Sequence, residues 1–213
     1  MVRAPPSDAV RAVEEPSMDE HVGETSIAPG TPSSPDDIDD AIRLELEFLT
    51  SLIWAPDAMT TATVTAIVGA PADRPRSDDH LPVASGLFLR PIHDTLFTAI
   101  TARVDDGLPV TPTLLSEGID DPRARTALRG VILEIAAPSG PGPLPGGADV
   151  PHLAAALIDR WYRRGYAGLL ARMGLVAEES ATADLAEHWA AMTAHQQRAH
   201  RRWAAIRTRL ADL

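Results

Sequence analysis

The chain contains no cysteine and no lysine. The first absence excludes thiol nucleophiles, CxxC redox pairs, disulfides and cysteine-ligated zinc. The second excludes the phosphate-binding lysine of a P-loop, Schiff-base chemistry and the strand lysine of kinases. All 19 basic residues are arginine. Aromatics are scarce at 4%: three Phe, two Tyr and four Trp. No run approaches the ~18 apolar residues of a membrane span. The N-terminal stretch MVRAPPSDAVRAVEEPS lacks the apolar region of a secretory signal, so a cytoplasmic protein without membrane contact is expected.

What is present is 45% apolar and 23% charged over 213 residues, ordinary for a globular domain with an extension. The net charge of −11 is uneven. Residues 1–40 carry two Arg against ten acids, whereas 149–213 carry nine Arg against seven. A general nucleic-acid binder shows a basic face, so weak or no direct nucleic-acid binding is expected.

Residues 1–34 are rich in Pro, Ser, Asp and Glu and read as a disordered acidic tail. A first helix starts near Asp36 and places Ile38, Ile42, Leu46, Leu49 and Ile53 at helical spacing. Pro56 ends it, and Asp57 is expected to cap a second helix through about Val68. Residues 69–86 read as a loop. A third helix opens at Pro91 and stops at Gly107, a short fourth starts at Thr111 or Thr113, and Arg123–Ala136 forms a fifth. The segment PSGPGPLPGG reads as a hinge and not a phosphate cradle, because prolines remove amide donors and no lysine follows.

Two long helices follow the hinge. The first is expected from Asp149, as its cap, to about Met173, with a turn at 174–181. The second begins near Thr182. Leu185, Trp189, Met192, Gln196, Trp203, Ile206 and Leu210 follow a heptad seam, and Tyr162 and Tyr166 line the first helix. No strand pattern stands out. The expected fold is all-α: a helical head (35–137), a hinge (138–148) and an antiparallel two-helix hairpin (149–213). Surplus apolar surface on the hairpin predicts a homo-oligomer through these nine residues. The alternative is that Trp189 and Trp203 pack only within the hairpin. Gln196 either sets register or faces water.

Chemistry-bearing residues are sparse. His188 and His195 lie about 10 Å apart along a helix axis, too far to share one ion. His93 lacks a partner acid at defined spacing. The arginines of the last two helices either contact phosphate or pair with acids of a neighbouring copy, such as Glu178, Glu179 or Glu187. No catalytic residue, cofactor or metal ligand is assigned, and an enzyme is not expected.

Residues 43–59, RLELEFLTSLIWAPDAM, and 87–115, LFLRPIHDTLFTAITARVDDGLPVTPTLL, resemble the N-terminal domain of the DnaB-type replicative helicase family. Phe88, His93, Phe97, Gly107, Pro109 and Leu114 fall in order on the family's head pattern. The resemblance runs from Asp36 to the end and lacks the RecA-like motor. It implies the collar of a hexameric ring, in which hairpins pair into dimers, three dimers close the collar, and primase docks. The implied function is a non-catalytic interaction and oligomerisation module with primase or replicative helicase as partner. The alternative is an all-α regulatory or DNA-binding protein that reuses the fold.

Overall fold

The computed structural model describes residues 35–73, 86–115, 122–137 and 142–213, and every regular element among them is helical. The expected acidic tail, most of the 69–86 loop and the start of the expected hinge lie outside the described residues. Among the described residues seven α-helices are present: α1 (Pro35–Trp54), α2 (Asp57–Val68), α3 (Pro91–Asp105), α4 (Pro112–Leu115), α5 (Pro122–Ala136), α6 (Val150–Glu179) and α7 (Leu185–Ala211). Proline opens α1, α3, α4 and α5, where its fixed φ suits the first turn and its missing N–H costs nothing. None of the helices is long and apolar enough to cross a membrane.

The apolar stripes meet in one cluster. Phe48, Leu49 and Leu52 of α1 pack with Leu96, Phe97 and Ile100 of α3 and with Leu128 and Ile135 of α5. Phe48, Phe88 and Phe97, the only phenylalanines of the chain, lie 5.5–6.3 Å apart by ring centroid. The base of the last two helices enters the same cluster through Val150, Ala154, Leu157 and Ile158 of α6 and Ile206 and Leu210 of α7. Each such side chain contributes about 1.5–3 kcal/mol on burial. The long helices are thereby rooted in the core formed by α1–α5.

Several local expectations are corrected. Gly174 does not end α6, which continues to Glu179 and leaves a turn of five residues before Leu185. One helical glycine costs only about 1 kcal/mol, and packing against α7 outweighs it. Asp57 and Asp149 do not cap by side chain. Pro56 precedes α2, and its carbonyl accepts from Met59 and Thr60 N–H. Asp149 has αR backbone angles, and its carboxylate accepts the Ser51 hydroxyl 98 residues away.

The end of the expected hinge is also fixed in place. Pro145–Gly147 forms a turn of 3-10 helix, and Gly147 is buried with φ +70°. A Cβ there would lie 2.7 Å from the Ala55 Cβ, so this contact between the chain before α6 and the end of α1 requires glycine.

Candidate functional site

Two places gather the polar and aromatic residues. The first is buried. Glu45 of α1 is fully inaccessible, and its carboxylate accepts from the Leu89 N–H, the Arg90 N–H (3.4 Å) and His93 Nδ1 (2.8 Å). A carboxylate offers only acceptors, so His93 donates from Nδ1. Its Nε2 has no partner among the described residues. Arg164 of α6 holds the other side of the same segment, donating to the Gly86 and Leu87 carbonyls at 3.0 and 2.7 Å. Burial pushes its guanidinium below its ordinary value, against the pull of Glu45 and Asp94. Asp94 accepts from the Gly86 N–H. Its carboxyl is raised, by burial first, against backbone hydrogen bonds that lower it. No acid stands at a defined spacing from His93 in the sequence, and the fold supplies Glu45 from 48 residues away.

This cluster ties the residues before α3 to α1 and α6. The Glu45 carboxylate and the His93 ring at its centre are closed to solvent. Phe88 and Phe97 are core side chains beside it, and Leu114 is half-buried. Gly107, at φ +66°, turns the chain after α3, and the Pro109 carbonyl accepts from Arg103. The described residues hold no cluster of three metal-ligating side chains.

The second place is the hairpin of α6 and α7. Asp159 meets Trp203 Nε1 at 2.7 Å and Arg207 at 3.6 Å. One turn on, Tyr162 stacks on Trp203 and accepts from Gln196 Nε2 at 2.9 Å. Tyr166 and Met173 then face the same hollow as Trp189. Partners advance along α6 as they recede along α7, so the helices are antiparallel.

The nine expected interface residues separate by height. Ile206 and Leu210 are buried in the shared core, and half-buried Trp203 is stacked on Tyr162 and hydrogen-bonded to Asp159. The expectation that the whole seam faces another copy is corrected here: the chain itself fills the C-terminal third. Gln196 is half-buried and bonded within the hairpin rather than facing water. Leu185 and Met192 are half-buried. Towards the tip, Trp189 is 60% exposed and Tyr166 45% exposed.

These side chains line an open groove of about 250 Å³ with Leu169, Leu170, Met173 and Met192. Ligand pockets are commonly ~300–1,000 Å³, enclosing most of a ligand within mostly apolar walls. This groove is smaller and open, which suits side chains of a protein surface. Leu170, 57% exposed, was not singled out in the sequence because it sits one position off the apolar stripe.

Arginines are spread along both hairpin helices. Arg202 lies 5.8 Å from the centre of the Trp161 ring, and burial, with nearby Arg209 adding, lowers its guanidinium from the ordinary value. Arg209 donates to the Ala66 carbonyl of α2. Arg209 thus ties α7 to α2 and Arg202 packs within the hairpin, whereas Arg163, Arg172, Arg198 and Arg201 are exposed. Comparison of the chain with protein-family models, curated proteins and solved structures finds no match.

Proposed function

We propose that the chain is a non-catalytic interaction and oligomerisation module, with α1–α5 as a head, 138–148 as a connection and α6–α7 as the hairpin that associates. The observation that carries this reading is the groove near the hairpin tip. A large tryptophan, a tyrosine and Leu170 stand exposed together there, although the same helices bury their apolar residues at the base. Contiguous exposed apolar surface rimmed by charge marks protein association sites. Trp and Tyr are the side chains that most often dominate such interfaces.

The module acts in DNA replication, with primase or a replicative helicase as the further partner. This part of the proposal rests on the resemblance of residues 43–59 and 87–115. Light scattering on the purified chain tests the assembly. The wild type is expected above monomer mass, and Trp189→Ala with Leu170→Ala below the wild-type mass at unchanged helicity. A monomeric wild type at high concentration overturns the assembly reading. Co-purification from the native host tests the partner, and recovery of neither primase nor helicase overturns that part.

A further inference from the structure

The side of the hairpin that α1 and α2 cover at its base continues uncovered towards the tip. At about 100° per residue, Leu175 falls on the same side of α6 as buried Leu157, and Arg164, Gly168 and Arg172 lie within about 60° of it. On α7, His188 falls on the same side as buried Ile206, and His195 and Arg202 lie within about 40° of it. The groove is elsewhere: Tyr166, Leu170 and Met173 lie about 140–180° round α6 from Leu157. Arg172, Leu175, His188 and His195 are exposed. Arg172, His188 and His195 have no ion-pair partner among the described residues. No acid occurs between Arg164 and Leu175 on α6, or between His188 and Ile206 on α7.

The chain enters α1 from the direction of this face. Helix α1 runs antiparallel to α6: the Ser51 hydroxyl reaches Asp149 at the base, and Glu45, earlier in α1, attracts Arg164, later in α6. Pro35, at the start of α1, lies about 15 Å beyond Glu45 towards the tip. Before it, the stretch from Glu14 to Glu24 carries five acids and no arginine. The chain between Glu24 and Pro35 reaches up to about 36 Å, whereas Gly168 and Leu175 are about 11 Å apart along the axis. We propose that residues 14–24 of this same chain lie along the uncovered face, with their acids against Arg172 and against His188 and His195 when these are protonated. The tether holds the segment at about millimolar effective concentration, which favours it over a free acidic partner. This cover neutralises the face and shields Leu175. It leaves the groove open on the opposite side of α6, so it stands whether or not the groove takes a second copy.

The absence of cysteine makes the test direct, because Ser17→Cys supplies a single thiol for a nitroxide within the acidic stretch. Amide signals of Gly168, Arg172 and His195 in the isotope-labelled full chain are expected to lose about half their intensity or more, because a tethered segment is mostly bound. Those of Arg129 and Gly130 on α5 are expected to hold. Adding Arg172→Glu and His195→Glu, both at exposed helical positions, is expected to restore the lost intensity at Gly168, with circular dichroism confirming unchanged helicity. Salt at ~1 M, which screens charges beyond about 3 Å, is expected to do the same. Intensities indifferent to the nitroxide, or a loss that survives both charge reversals, overturn the proposal. A nitroxide chain without isotope, mixed with an isotope-labelled chain without nitroxide, separates the copies. A full loss in that mixture places the segment on another molecule and overturns the contact within one chain.

Discussion

Glu45 is an acid in the middle of an apolar stripe, between Ala41 and Phe48 on the buried side of α1. Its position is explained by three donors that converge on it: two backbone amides and His93. Removing one partner of a buried polar set costs more than the set contributes as a whole, because the remaining groups stay desolvated. Glu45→Ala should therefore destabilise by about 3–5 kcal/mol, measured by urea unfolding. A loss under about 1 kcal/mol would show that water or another side chain takes over the donors. Asp94 gives the opposite sign. Its carboxyl is raised from 3.8 mainly by burial. The stability its protonated form contributes is fully present below the unfolded value and is lost as pH rises through the folded value. At pH 7 the charge is a net cost. Asp94→Asn keeps an oxygen to accept from Gly86, so its Tm should exceed wild type at pH 7, with the gap closing as pH falls through 3.8. A lower Tm at pH 7 would mean that the charged acceptor outweighs the desolvation.

The helices were legible where proline or spacing marks them. Pro91 and Gly107 bracket α3, Pro56 separates α1 from α2, and the 3.6-residue stripes identify the buried faces. The polar ties were not legible, because their partners are distant in sequence. Glu45 and His93 are 48 residues apart, and Ser51 and Asp149 are 98 apart. Nothing in the local pattern of Asp149 distinguishes a helix cap from an acceptor for a distant serine. The interface residues were legible as a seam. Their division into a filled base and an open tip follows from where α1 and α2 stop covering the hairpin. Gly174 was misleading because a single glycine marks a helix end only when nothing packs beyond it. Met173 and Val176 are half-buried on either side of it. No neighbouring atom lies within 4 Å of the place its Cβ would take. Gly174→Ala should therefore stabilise by about 0.5–1 kcal/mol, seen as a higher midpoint in thermal unfolding. Destabilisation would reveal a neighbour that needs the bare backbone.

Across the molecule, charge is segregated by region. The body of the hairpin, residues 150–177 and 188–211, holds nine Arg against the single acid Asp159, a net +8. The rest of the chain therefore carries −19 against the total of −11. A basic hairpin on an acidic chain favours the approach of acidic surfaces to the hairpin over its other faces. The shared core has a further consequence for shape. Leu157 and Ile206 root the hairpin about 13 residues below the groove, on the order of 20 Å along the helices. Because that root is packed, the groove stands off from the dense core on a thin two-helix rod. Small-angle scattering should then give a pair-distance curve with one maximum and an extended tail, and drag higher than that of a sphere of equal mass.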